Sequence, residues 1–405
     1  MEVKNYNLSN SSIQNLLTLR YDFEQKTPLT ELTPKDFQKF DPISEKVIIS
    51  LLEKSINNLV IDDSKTVAIA LSGGIDSTLV LSLLKKTHPK LHIHGYSIKF
   101  ANSVDETIQA GKIAKHFGIE HSIIELENYL EELPKSISIT KLPFWDLHWY
   151  YVAKNTKKSS EFLASGDGGD ELFGGYTFRY QKYLSLVNSK SNVNKKIQSY
   201  LQCHERDTVP DQEKLFGKKI PFSWNKIYEK LTPYFDNTLD LIDQVFLADY
   251  NGKLLYNFSI VNGTINKEFN LNPITPLLSK EIIQVASHIP NSQKYFKEFN
   301  LGKLPLRNIL DQLNISHLVS DQKLGFSVNT INLWKNYGQK ICKSFLSNSH
   351  IVKEGWINND WIITHIDKEN LDVKYVNKFL GILALEIWYR IFISKDMKPD
   401  EKLSI

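Results

Sequence analysis

Along the first 175 residues, short apolar runs alternate with stretches of helical apolar spacing. Thr66 to Leu71 is a β-branched and apolar run that reads as a buried strand, and Ser77 to Leu84 has the spacing of a helix. The alternation continues with LHIHGYSIKF (strand), DETIQAGKIAKHF (helix), HSIIELE (strand), a helical segment from Asn128, another through DLHWYYVAKNTKK, and EFLASG (strand). This order predicts an α/β fold: a doubly wound parallel sheet with helices on both faces and ligands at the carboxyl ends of its strands. From about residue 176 the pattern is helical, broken by the polar NSKSNVNKK, so a largely helical C-terminal part is expected. The richest apolar run, Phe379 to Ile393, is interrupted by Glu386 and Arg390 and is too short for a bilayer, which leaves helix packing as its role.

Composition narrows the class. A chain of 405 residues, 41% hydrophobic and 23% charged, buries a substantial core and has the length of two or three domain-sized units. The net charge is only +3 and the basic residues are scattered, so neither a nucleic-acid nor a membrane surface is expected. The opening MEVKNYNLSNSS lacks the apolar core of a signal peptide. Cys203 and Cys342 form no paired motif, which points to a reducing cytoplasm.

The candidate chemistry sits at two strand ends. After the first strand comes SGGIDS, residues 72 to 77, whose glycines can take positive φ and turn several N–H groups toward one point. The following helix aims its N-terminal dipole at the same point, and Ser72 and Ser77 add hydroxyls, so the loop reads as a phosphate cradle. Asp76 lies inside this anion site, which calls for a divalent cation between carboxylate and phosphates. The spacing fits neither the Gly-Lys-Ser/Thr nucleotide loop nor the three-glycine dinucleotide fingerprint. The second stretch, ASGDGGDELFGGY at 164 to 176, again follows a strand and clusters Asp167, Asp170 and Glu171, acids that are costly together unless a cation shares the site.

SGGIDS resembles the pyrophosphate loop of the ATP pyrophosphatase superfamily. The pair SGGIDS and SGDGGDELFGGY is similar to the synthetase domain of glutamine-dependent asparagine synthetases and their relatives, the β-lactam synthetases and lasso-peptide cyclases. LGKLPLRNIL, DQKLGF and FLGILALEIWYRIF resemble further segments of that family, and the resemblance runs from about residue 13 to 395. It implies an enzyme that adenylates a carboxylate with Mg²⁺ and ATP, releases pyrophosphate, and passes the acyl group to ammonia or another amine. Position by position, it implies that Leu71, Ile98, Ser165 and Gly166 hold the adenosine and that Ser72, Gly73, Gly74 and Ser77 grip pyrophosphate. It further implies that Asp76 and Asp170 bind Mg²⁺, that Lys323 neutralises charge on the phosphates, and that Lys303 is a second cation for the departing pyrophosphate. Asp167 corresponds to an acid of asparagine synthetases that orients ammonia and takes up its proton; β-lactam synthetases resemble one another in having tyrosine there.

Two departures qualify the resemblance. The chain starts Met1-Glu2 rather than with a catalytic cysteine, and LLTLRYDFEQKTPLTEL resembles only the tail of an amidohydrolase domain. Residues 1–42 are therefore expected to be a vestige, 43–395 the synthetase unit (ATP-binding to about 176, mainly helical beyond) and 396–405 a tail. Nitrogen would come as ammonia, from a separate glutaminase, or as another amine; a homodimer stays open. The other departure is at the acceptor pocket, where Val261, Gly263, Thr264, Asn272, Ile274 and Ser279 stand on positions that carry charge in the family. Either other residues such as Arg179 or Lys267 have taken over, or the substrate is not aspartate. Asp146 and His148 of PFWDLHW are candidates for lining that pocket, and HIH at 92–94 reads as ordinary packing or surface histidines. tRNA thiolation and a non-catalytic nucleotide-binding subunit are the alternatives; the retention of Asp76, Asp170 and Lys323 argues against the latter.

Overall fold

The computed structural model describes residues 8–37, 43–59, 61–62, 64–101, 103, 105–319 and 328–404. Its centre is a parallel sheet of β1 (Thr66–Ala70), β2 (His92–Phe100), β3 (Glu120–Leu126), β4 (Phe162–Ala164) and β5 (Asn272–Ile274), in the order β3-β2-β1-β4-β5. The chain leaves β1 in one direction to make β2 and β3, then returns to the other side of β1 for β4. That reversal opens a crevice between the carboxyl ends of β1 and β4, the place where open α/β sheets hold ligands.

Successive side chains point to opposite faces of the sheet, and both faces are buried. Val67, Ile69 and Leu71 pack into one core with α2 (Glu45–Asn57), α3 (Ile75–Thr87) and α4 (Thr107–His116). Ala68 and Ala70 pack into the other with α5 (Leu133–Thr140) and α6 (His148–Thr156). α1 (Asn10–Leu19) joins this second side, where Ile13 and Leu17 lie in the same core as the helix Val373–Tyr389. That helix carries the long apolar run, and its interrupting Glu386 is fully buried yet satisfied: it accepts from Ser349 Oγ at 2.7 Å, from the N–H groups of His350 and Ile351 at 3.1 Å, and from Arg390 Nε at 2.7 Å.

The doubly wound sheet and the helical C-terminal part are as the pattern predicts, with one addition. β5 comes from residues 272–274, inside the stretch read as helical. Three residues are too few to show a period of two, and Pro273 is tolerated because the strand is at the sheet edge. A short antiparallel ribbon, β6 (Tyr295–Phe296) with β7 (Leu301–Gly302), ends at Lys303. Among the described residues no helix is long and apolar enough to cross a membrane.

Candidate active site

The two glycine-rich stretches meet in the crevice because their glycines lack side chains. Gly73 has φ +75°, and a Cβ there would lie 3.0 Å from Gln109 of α4. Gly74 then caps α3, and the serines on either side close the turn: Ser72 Oγ accepts the Gly74 N–H at 3.3 Å, and Ser77 Oγ accepts the Ser72 N–H at 3.3 Å. From the β4 side, a Cβ on Gly166 would come within 2.5 Å of Asp76 Cβ, and one on Gly169 within 2.3 Å of the Asp76 carboxyl carbon. Any side chain at either position would drive the strand ends apart.

This contact brings Asp76 and Asp170 to a single cation. Lys303 Nζ lies 2.5 Å from Asp76 Oδ2 and 2.7 Å from Asp170 Oδ1. Lys303 adopts the left-handed conformation (φ +58°) at the start of the helix Leu304–Gln312, held by its N–H donating to Phe173 O at 3.0 Å. Gly175 makes room for the group, since a Cβ there would lie 2.5 Å from Lys303 Cε. Burial acts to lower the Lys303 pKa, but the Asp170 and Asp76 carboxylates outweigh it and hold the ammonium well above its ordinary value.

Ser72, Asp76, Ser77, Ser165, Gly166 and Asp170 line one end of a cleft of about 870 Å³. Leu71 and Ile98 do not: both side chains are buried in the sheet cores, and the Leu71 backbone is engaged with Tyr96 O (2.8 Å) and Ser97 Oγ (2.5 Å). Lys323 lies outside the described residues. Of the described residues on either side of it in sequence, Leu318 O accepts from the Gln109 side chain, and the Asn329 N–H donates to Ser103 Oγ at 2.7 Å.

Asp167 lies farther along the cleft, half-buried, where Asn262 Nδ2 donates to its Oδ2 at 3.0 Å. Burial raises its pKa, opposed by the hydrogen bonds of Asn262 and Ser165 and the nearby His148. Beyond it the lining is charged. Arg20, whose guanidinium lies 5.4 Å from the Phe144 ring centre and 5.5 Å from that of Trp145, pairs with Asp146 at 2.9 Å and Asp207 at 3.7 Å. Lys253 pairs with Asp207 at 2.5 Å, and Arg179, stacked 3.9 Å over Tyr176, pairs with Asp249 at 3.5 Å. Against the cost of burial, Lys253, His204 and Arg20 hold the Asp207 carboxyl well below its usual range.

This corrects the picture of an acceptor end stripped of charge. Val261 and Ile274 are buried, and none of the family-charged positions lines the cleft. The charge is supplied from elsewhere: Arg179, as one of the two named candidates, and Arg20, His204, Asp207 and Lys253, which sequence reasoning missed; Lys267 does not line the cleft. Arg20 belongs to the stretch that resembles the tail of an amidohydrolase domain, and Asn262 sits between Val261 and Gly263, two positions that carry charge in the family. Neither carries a local signal, because a lone arginine or asparagine acquires its role only from what the fold sets beside it.

The donor set fits a hard divalent cation. Two carboxylates in the first turns of facing helices, beside serine hydroxyls and backbone N–H groups, suit Mg²⁺, which commonly takes one or two protein carboxylates and fills its remaining positions with phosphate oxygens and water. Among the described residues no group of three or more His, Cys, Asp or Glu forms an all-protein cage.

The site is thus a doubly wound sheet with a glycine-rich loop and paired carboxylates at its switch point. The chain belongs to the asparagine synthase family, whose sequence profile matches residues 48–390. It is 27% identical over 366 residues to asparagine synthetase [glutamine-hydrolyzing] 1 of Bacillus subtilis (strain 168), covering 82% of this chain and 57% of that protein. It is 23% identical over 388 residues to a putative asparagine synthetase [glutamine-hydrolyzing] of Mycobacterium bovis, covering 87% of this chain and 58% of that one. The chain thus spans a little over half the length of these relatives. Among solved structures, the match to NMN synthetase from Francisella tularensis covers 58% of this chain and 99% of that one at 16% identity and a TM-score of 0.26.

Proposed function

We propose that this chain is an ATP-dependent, AMP- and pyrophosphate-forming amide synthetase that adenylates a carboxylate and transfers the acyl group to ammonia or another amine. The observation that carries the reading is the convergence of Asp76, Asp170 and Lys303 between the phosphate loop and the end of β4. Ser72, Gly73, Gly74 and Ser77 would grip the leaving pyrophosphate, while Ser165 and Gly166, with backbone groups near Leu71 and Ile98, would hold the adenosine. Asp76 and Asp170 would hold Mg²⁺, which supplies neutralisation of phosphate charge. Lys303 and Lys323 would balance the negative charge that builds on the phosphoryl oxygens as the carboxylate attacks the α-phosphorus. Asp167, held by Asn262, would orient the amine.

The charged far end of the cleft supports a carboxylate substrate with a second polar or charged group, aspartate or a larger acid, because an apolar group placed there would strip water from the Arg20–Asp146, Arg179–Asp249 and Lys253–Asp207 pairs without offering them a new hydrogen bond. A separate glutaminase as nitrogen source, residues 43–395 as the synthetase unit and a cytoplasmic setting complete the reading. Incubation with ATP, MgCl₂, ammonium chloride and a panel of amino and carboxylic acids tests it. AMP, pyrophosphate and an amide are the expected products, and ADP with orthophosphate would overturn the assignment.

A further inference from the structure

Amide formation from an acyl-adenylate has an unequal proton requirement. The departing AMP phosphate is stable as an anion and needs no acid. The attacking nitrogen, in contrast, must lose a proton after it bonds to the carbonyl carbon, or the adduct reverts. Asp167 is the acid in the cleft nearest the roles drawn from sequence, but a carboxylate is a weak base, and one oxygen of this one is occupied by Asn262 at 3.0 Å. An imidazole nitrogen is intrinsically a better proton acceptor than a carboxylate oxygen.

His148 supplies such a ring. It is the first residue of α6, at the carboxyl end of the sheet, and it lines the cleft together with Asp167, Ser165 and Arg20. Its Nδ1 lies 3.5 Å from Asp146 Oδ1, and Asp146 is fixed by Tyr129, whose hydroxyl donates to Oδ1 at 3.1 Å, and by Arg20, whose Nη2 donates to Oδ2 at 2.9 Å. Burial opposes the charge on Asp146, yet the bonds to His148 and Arg20 hold its carboxyl well below the usual range. A permanently ionised carboxylate facing Nδ1 favours the tautomer that carries its proton there, which leaves Nε2 as an acceptor.

We propose that His148 is the general base of the amide-forming step and that Asp146 positions it. The amine nitrogen forms its bond to the acyl carbon, the carbon–oxygen bond to AMP breaks with its electron pair going to the phosphate oxygen, and the nitrogen's proton passes to His148 Nε2. The inference rests on the proposed adenylation chemistry and divides the labour of the cleft: Asp167 orients the amine and His148 removes its proton.

The test separates the two half-reactions, using whichever acids of the panel support exchange of labelled pyrophosphate into ATP. In His148→Gln, exchange should stay within about threefold of the unaltered enzyme while amide formation from ammonium falls about 100-fold, as expected for a lost general base. Hydroxylamine, whose adduct loses its proton more readily, should shrink that deficit to under about tenfold. Asp146→Asn should lower amide formation alone, yet add little in the His148→Gln background, because a residue acting through His148 has nothing left to act on. Amide formation at the normal rate in His148→Gln, or equal loss of both half-reactions, would overturn the assignment. Failure of every acid to support exchange in the unaltered enzyme would instead overturn the adenylation reading, and the role of His148 with it.

Discussion

At the proposed phosphate end of the cleft, two short stretches, residues 72–77 and 165–170, provide nearly every group, and glycines at 166, 169 and 175 set the distances. At the acceptor end the groups come from scattered places: Arg20 just past α1, His148 at the start of α6, Arg179 and Asp207 from the helical part, and Lys253 close to β5 in sequence but not in the sheet. The phosphate end is held by backbone shape and the acceptor end by pairs of buried charges. A backbone cradle tolerates little change, since each added atom collides with a neighbour. A charge network can exchange members as long as each buried charge keeps a partner.

The largest effects should therefore come from the phosphate end. Asp76→Asn or Asp170→Asn removes a carboxylate that faces both Lys303 and the proposed cation, and turnover should fall by roughly 10²- to 10³-fold or more, the size of losing one fixed charge from such a site. Circular dichroism should show the fold intact, because both side chains are partly exposed, at 17% and 23%. Gly169→Ala should be as damaging without touching a charge, because its methyl would collide with the Asp76 carboxyl. Near-normal rates in all three variants would show that the phosphate site is not built on this contact.

Legibility in the sequence follows the same division. SGGIDS and SGDGGDE could be read because glycines and acids at short spacing mark a turn with a charge requirement, and the flanking apolar runs place each at a strand end. Lys303 is different: its partners are 227 and 133 positions away, and only the family resemblance singled it out. The acceptor end stayed unread because its residues are polar side chains in helices or connecting turns, where a solvated surface gives the same pattern. Asp207 looks like any acid in a connecting segment until the fold sets Arg20 and Lys253 beside it.

A smaller effect should come from the acceptor end, and it should appear in a different parameter. Arg20→Ala leaves Asp146 and Asp207 each short of one partner and removes a positive charge from the cleft wall. The KM for the carboxylate should rise about tenfold, near 1.4 kcal/mol, while the KM for ATP stays within twofold. Steady-state kinetics with each substrate varied in turn will show whether the two ends are separable. A matching rise in both KM values would mean that Arg20 supports the whole cleft, and the contrast between a backbone-built end and a charge-built end would fail.

A separate effect is one of stability, and its sign distinguishes Lys303 from Lys253 in the cleft wall and from the buried Lys378 beside Asp207. Lys303 gains two carboxylates that outweigh its burial, so its pKa lies above the ordinary value. Lys378 and Lys253 behave oppositely. Lys378 is 4% exposed, donates to Leu17 O and Asp207 O, and is pushed by burial down to about 7; burial takes Lys253 down to about 8 despite Asp207. Between pH 7 and 9 the unfolded chain, with ordinary lysines near 10.5, therefore binds more protons than the folded one. Stability should rise with pH over this window, by at most about 1.4 kcal/mol per pH unit for each lysine. Lys303 contributes no slope there, because its ammonium is charged in both states. Urea midpoints at pH 7, 8 and 9 should climb for the unaltered protein and climb less for Lys378→Met, which has no proton to gain on unfolding. A midpoint that falls from pH 7 to 9 would mean that Lys378 keeps its charge beside Asp207, and that buried charge at the acceptor end is partnered as fully as at the phosphate end.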